Sequence, residues 1–140
     1  MRIIFFLACL TLLLNSNTCK PPLMEEFYTI VVKNNSPDTV CAYFADGGVN
    51  GIQYPDTILP TVRPPLISIY PAKSFNFDSR RPWEDIINDL NADTLSVYII
   101  SWKTYQDSLW ESIRSNNLVL KRYDLSVSDL KATNWRVNYQ

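Results

Sequence analysis

Histidine is absent from the 140 residues. Its absence removes the commonest general base near neutral pH and the commonest metal ligand. Ser-His-Asp and Cys-His nucleophile systems are excluded in their usual form. Histidine-containing zinc sites go with them, and three cysteines are too few to replace them. An excess of charge of either sign is also missing. The formal net charge is −1, so no basic face is available to neutralise phosphates and no nucleic-acid partner is expected. Internal repeats and low-complexity tracts are absent, and no cofactor or metal site is expected.

What the chain does have is apolar and aromatic bulk, 46% hydrophobic and 13% aromatic. Its length suggests one domain. A chain of this size can bury roughly two-thirds of its extended surface, enough for a core without staples.

The first eighteen residues read as an address. Met1-Arg2 is basic, Ile3 to Leu14 is apolar but for Thr11, and Asn15 to Thr18 is small and polar. A run of about a dozen residues is too short to span a bilayer, which takes about 20. The pattern is that of a secretory signal over residues 1–18. Ser16-Asn17-Thr18-Cys19 resembles a bacterial lipobox, which ends in an acylated cysteine. It departs from the tighter form, with Leu three places before the cysteine and Gly or Ala just before it. The leading expectation is lipid on Cys19, anchoring the domain to a membrane. The alternative is ordinary cleavage after a small residue, giving a soluble periplasmic or secreted ligand-binding or inhibitor module. In that case a Cys19–Cys41 disulfide is open in an oxidising compartment. Residues 19–26 form a tether that prolines keep extended and Glu25-Glu26 keep wet.

One globular domain is expected over residues 27–140. Its centre is Thr94 to Trp102, where Leu95, Val97 and Ile99 share one face and Tyr98, Ile100 and Trp102 the other. A strand apolar on both faces belongs mid-sheet, covered front and back. Phe27–Lys33 and Thr39–Ala45 read as strands joined by the Asn34–Asp38 turn, an expected antiparallel hairpin. Leu66–Tyr70 and Ser74–Asp78 read as further strands. Pro82 opens a helix whose Trp83, Ile86, Ile87 and Leu90 share a face. A second helix is expected over Thr104–Asn116, capped by Thr104 and Asp107, with Tyr105, Leu109 and Ile113 as its apolar stripe. Leu118–Leu125 reads as a strand, Ser126 with Asp129 as a capping box, and Trp135–Tyr139 as a docked terminal strand. The expected fold is α+β and strand-dominated: a mixed or antiparallel sheet, or a small sandwich, with two or three short helices.

Asp46 to Pro65 has no periodicity. It holds all three glycines and four of the nine prolines. A loop this long inside a compact domain is functional or poorly ordered. It is the first candidate for a binding site, with Gln53, Tyr54 and Asp56 at its centre.

Several motifs fail on their own chemistry. Asp89 to Asp93 opens like a calcium loop, but Thr94 stands where Gly is needed and Ile100 where the bidentate Glu belongs. Ser128-Asp129-Leu130-Lys131 matches Ser-x-x-Lys without its partner motif, and a capped helix accounts for it better. Cys41 reads as a small buried apolar residue, with nothing basic beside it in sequence. Four tryptophans and eight tyrosines could stack on sugars, but Trp83, Trp102, Trp110 and Trp135 lie on or near apolar stripes.

One pattern recurs: Asp, a hydroxyl residue, then an aliphatic, at Asp38-Thr39-Val40, Asp56-Thr57-Ile58, Asp93-Thr94-Leu95 and Asp107-Ser108-Leu109. Composition gives about one such triad by chance. The form resembles an O-glycosylation sequon of exported Bacteroidota proteins. The same residues also initiate strands and helices by side-chain bonds to backbone. Thr57, in the loop, is the leading modified site; Thr39, Thr94 and Ser108 read as structural.

Trp110-Glu111-Ser112-Ile113-Arg114, then Leu120 to Ser126, Asp129-Leu130 and Asn134-Trp135 resemble the ending of small exported proteins and lipoproteins of Bacteroidota. Asn34-Asn35-Ser36 and Pro55-Asp56-Thr57 fit the same group; Tyr139-Gln140 departs from its Tyr-Pro ending. Members have no assigned activity, so the resemblance implies location and not chemistry. The expectation is a non-enzymatic domain held in the cell envelope by lipid, outside the cytoplasm, that contacts an envelope protein or a glycan.

Overall fold

The computed structural model describes residues 26–48 and 51–140. The leader, the tether up to residue 25 and Cys19 lie outside the described residues, as do Val49 and Asn50.

The architecture is α+β and strand-rich. Two three-stranded sheets carry it. The first has the order β3-β1-β6, from Ser74–Ser79, Tyr28–Asn34 and Arg136–Tyr139; the second has the order β2-β4-β5, from Val40–Ala45, Leu95–Ser101 and Lys121–Leu125. β1 runs antiparallel to β3 and parallel to β6, so the first sheet is mixed. The second is antiparallel throughout. Four α-helices intervene among the described residues: α1 (Trp83–Asn88), α2 (Trp102–Asp107), α3 (Trp110–Ser115) and α4 (Val127–Ala132). A 3-10 turn at Asn91–Asp93 leads into β4.

β4 is the central strand its sequence predicts, but it ends at Ser101, and Trp102, expected on the Tyr98 face, opens α2 instead. Leu95, Val97 and Ile99 pack into the core shared with Ile30 and Val32 of β1, Val137 of β6, Trp83 and Ile87 of α1 and Leu130 of α4. Tyr98 and Ile100 point the other way, into a second cluster with Tyr105, Trp110, Ile113 and Leu59. The second sheet is therefore the middle layer. The first sheet, α1 and α4 cover one face; α2, α3 and the long loop cover the other.

The expected β1–β2 hairpin does not form, because the two strands join different sheets. β1 alternates buried and half-buried residues, as an outer-sheet strand does. Every residue of β2 is buried, so it needs cover on both faces and pairs with β4. Asn34 makes the crossing. Fully buried, it donates through Nδ2 to the carbonyls of Asp38 (2.7 Å) and Ile69 (2.9 Å). Its Oδ1 accepts from the N–H and hydroxyl of Ser36.

Other elements are shorter than expected. Of Leu66–Tyr70 only Ile69 pairs, in a single bridge with Val40; Pro64, Pro65 and Pro71 on its flanks have no N–H to extend a ladder. The Thr104–Asn116 helix is two helices, which raises the expected two or three to four among the described residues. Ser108 and Leu109 between them are extended, and Leu109, the middle of the expected stripe, is 77% exposed. Ser101, not Thr104, caps α2, accepting from the Thr104 N–H. The strand expected from Leu118 begins only at Lys121. Asn117 turns left-handed at φ 48° to close α3, and Leu118 N–H bonds the Ile113 carbonyl. The Ser126–Asp129 capping box forms as read.

Candidate functional site

The loop between β2 and β3 lies across the outer face of the middle sheet. Having no ladder of its own, it must find partners for its carbonyls elsewhere. Side chains rising from the structure beneath supply them. Tyr98 Oη donates to Asp56 O at 3.0 Å, Arg114 Nε to Leu59 O at 2.8 Å, Trp110 Nε1 to Pro60 O at 2.8 Å and Tyr105 Oη to Pro64 O at 2.8 Å. Return contacts come from Arg63, which donates to the Tyr105 carbonyl and stacks on its ring at 4.1 Å. Leu59 is the apolar anchor, 1% exposed, and its burial contributes roughly 1.5–3 kcal/mol. The described part of the loop is a strap tied at four points.

The three residues proposed at its centre are only partly free to bind. Gln53 is half-buried against Gly47, its amide nitrogen 2.5 Å from where a Cβ on Gly47 would sit; Gly47 has φ +71°. Tyr54 lies against the Arg122 guanidinium, 5.7 Å from ring centroid to Cζ. Asp56 is exposed, but its carbonyl is taken by Tyr98 and its Oδ1 accepts from Ile58 N–H at 2.9 Å. The Asp56 turn leaves Thr57 exposed and Ile58 52% exposed. An open concavity of about 720 Å³ is lined by Gln53, Asp56, Thr57 and Ile58 among others. A narrower cleft of about 260 Å³ runs beside Thr57, Tyr98, Asn117 and Arg122.

Sequence reading missed the polar group beneath. Arg122 Nε donates to Asp124 Oδ1 at 2.7 Å and Nη2 to Ser96 Oγ at 3.1 Å, while fully buried Ser96 donates to the same Asp124 oxygen. The guanidinium rests on Tyr98, 5.3 Å from its centroid. Arg122 and Asp124 are two apart on one strand, which puts them on one face. Only the β4–β5 register, Ser96 opposite Asp124 and Tyr98 opposite Arg122, brings Ser96 and Tyr98 to them.

The four glycosylation triads separate by burial. Val40 and Leu95 are 0% exposed at strand starts, whereas Ile58 is 52% and Leu109 77% exposed. Ser108 itself is half-buried where α2 ends. Thr39 and Thr94 are half-buried too.

Cys41 is fully buried, its thiol facing the Ile100 carbonyl at 3.5 Å. Burial pushes the thiol up to about 12, against a smaller opposing pull from Arg63. A second sulfur could reach it only if the packing opened. Burial also raises Tyr43 and Tyr98 above the usual phenol range. Two of the tryptophans expected in the core, Trp83 and Trp110, are buried; Trp102 and Trp135 are half-buried. Among the described residues no helix is long and apolar enough to cross a membrane. No protein-family model, curated protein or solved structure matches the chain.

Proposed function

We propose that the protein is a cell-envelope binding domain, delivered by its leader and held to a membrane by lipid on Cys19. Its loop face contacts an envelope protein or a glycan. The observation that carries the reading is the four-point tie of the strap. A loop held so firmly loses little conformational entropy when a partner settles on it. It still presents Ile58 at 52% and Val62 at 61% exposure, which are apolar contacts for that partner. We also propose Thr57 as a carrier of O-linked sugar, on the exposure of its whole triad.

Two measurements test the anchor and the face separately. Palmitate should label the wild-type chain and not Cys19→Ala. A wild-type chain that takes no label refutes the anchor and leaves the soluble periplasmic or secreted form. Crosslinking from Ile58 and Val62, each replaced by a photoreactive residue, should capture one discrete envelope component. The same probe at Lys103, exposed on α2, should not. Equal capture from all three positions overturns the binding face.

A further inference from the structure

A second concavity lies on the far side of the middle sheet from the loop. It has about 270 Å³ and is lined by Phe27, Tyr28, Thr29, Trp83, Glu84 and Trp135. Four of these six are aromatic, and Glu84 is the one carboxylate. Three elements meet there: the start of β1, the first turn of α1 and the turn from α4 to β6.

The walls are fixed. Trp83 Nε1 donates to the carbonyls of Tyr28 at 3.0 Å and Phe77 at 3.3 Å, which turns its polar edge away into the fold. Trp135 is held in the left-handed region at φ 59°, where a bulky residue is a genuine outlier. Closing α4 does not require it. Asn134, at φ 51°, already supplies the left-handed residue, with its N–H on Lys131 O and the Trp135 N–H on Leu130 O. Trp135 O then accepts from Val31 N–H, which pins the peptide from the other side. Such conformations persist where surroundings over-determine them, and they concentrate at ligand clamps.

The lining chemistry selects its ligand. Aromatic faces carry negative potential and attract weakly hydrated cations, methylated ammonium groups above all. Glu84 adds a full negative charge. It now faces Lys131 Nζ at 3.6 Å, too long for a hydrogen bond, with the lysine side chain 59% exposed. An ammonium group therefore already attends this carboxylate, loosely enough to be replaced. A neutral sugar fits less well, because it gains nothing from the Glu84 charge. Two of the groove's polar groups are also engaged: the Thr29 hydroxyl donates to Asp78 at 2.5 Å and the Trp83 indole N–H to two carbonyls, leaving the Tyr28 hydroxyl and the Trp135 indole N–H beside Glu84. The volume falls below the roughly 300–1,000 Å³ of drug-sized sites, which suits a headgroup-sized solute.

We infer that this aromatic groove binds a small methylated ammonium group of the choline type. The inference is independent of the loop face and of the lipid anchor. The test titrates the full chain with choline and with its neutral isostere 3,3-dimethylbutan-1-ol, reading the indole NMR shifts of Trp83 and Trp135. Choline should shift both saturably, and the isostere should bind about tenfold more weakly. Phe27→Ala and Glu84→Gln alter half-exposed or exposed side chains, so the fold should persist; each should weaken choline about three- to tenfold. Phosphatidylcholine vesicles form a separate arm, because the same group also reaches a protein on lipid; saturation by either source supports the site and identifies the source. Equal binding of isostere and choline overturns the inference. So does a methyl glucoside that shifts Trp135 when choline does not, or the absence of any shift with choline and vesicles alike.

Discussion

The Tyr98 hydroxyl donates to the Asp56 carbonyl at 3.0 Å, joining the central strand to a loop more than forty residues earlier in the chain. Tyr98 is 1% exposed and packs in the cluster that holds Leu59, so its ring is fixed beneath the strap while its hydroxyl makes the tie. Tyr98→Phe keeps the ring and removes the tie. The expected cost is about 1 kcal/mol, read as a lower urea midpoint with an unchanged slope. Hydrogen exchange at Ile58 should rise more than exchange at Ile30. Uniform acceleration at both would mean that the loop unfolds only with the whole domain.

Gly47 stands in a conformation that other residues rarely adopt, φ +71°, with Gln53 Nε2 2.5 Å and Leu90 Cδ2 3.0 Å from a built Cβ. Gly47→Ala meets both obstacles. The glutamine can swing aside, but the backbone strain stays. A loss of about 1–2 kcal/mol is expected, measured as a fall in thermal midpoint. Gln53→Ala added to it should recover part of the loss by removing the steric obstacle. No recovery would place the whole cost in the backbone.

Cys41 gives the protein an alkaline weakness. Its thiol titrates near 12 when folded, because burial penalises the thiolate, and near 8.5 in an unfolded chain. Between those values the unfolded state gives up a proton that the folded state keeps. Stability is therefore full below the unfolded value and falls as pH rises toward the folded one. Tyr43 and Tyr98, raised by the same cause, push in the same direction at higher pH. Cys41→Ala should flatten the onset of the decline in urea unfolding followed from pH 8 to 10, about the range where a free thiol titrates. A thiol reagent at neutral pH should modify Cys41 of the folded chain only at the rate of unfolding.

Asn34 satisfies four groups at once where the chain changes sheets. Asn34→Ala leaves the buried carbonyl of Ile69 without that donor and opens a polar hole. A loss of about 2–3 kcal/mol is expected by equilibrium unfolding. Asn34→Asp keeps the acceptor for Ser36 but offers two carbonyls no donor, so it should cost at least as much. Retention of full stability by either variant would mean that water replaces the amide.

How much of this was legible in the residues depends on where the determining contacts lie. β4 could be read because apolar residues on both faces of seven consecutive positions have one solution, and the same reasoning applied to β2 would have separated it from β1. Alternation in β1 and unbroken apolarity in Val40–Ala45 are both present in the sequence, but the Asn34–Asp38 turn signal outweighs them and suggests a hairpin. Ser126 and Asp129 could be read because a capping box is local. The break at Ser108 could not. Trp110 gains a hydrogen bond to Pro60, fifty residues away, and local helical spacing carries no trace of that partner. The same holds for the loop, whose order comes from Tyr98, Tyr105, Trp110 and Arg114. Nothing within residues 46–65 announces those donors. The aromatic groove was hidden for a related reason: Tyr28, Trp83 and Trp135 each fit a buried stripe, and only their meeting across three elements leaves a hollow between them.

Glycosylation offers a test that folding itself can decide. A transferase that acts on the folded domain must engage all three residues of its triad. At Asp56-Thr57-Ile58 the hydroxyl residue and both neighbours are exposed, and the Asp56 turn holds them in one fixed shape. At Asp38-Thr39-Val40 and Asp93-Thr94-Leu95 the aliphatic is wholly buried, and freeing it would mean stripping a strand from the core at a cost comparable to global unfolding. Asp107-Ser108-Leu109 is intermediate, with its aliphatic exposed and its serine half-buried. Intact mass of the chain exported from a Bacteroidota host should show one glycan, lost in Thr57→Ala and kept in Thr39→Ala and Thr94→Ala. Ser108→Ala should matter only if a second glycan is present. Glycans at all four positions would mean that transfer precedes folding, so burial exerts no selection. An unmodified chain would mean that Asp56 acts only as a turn former, which its hydrogen bond from Ile58 N–H is already sufficient to explain.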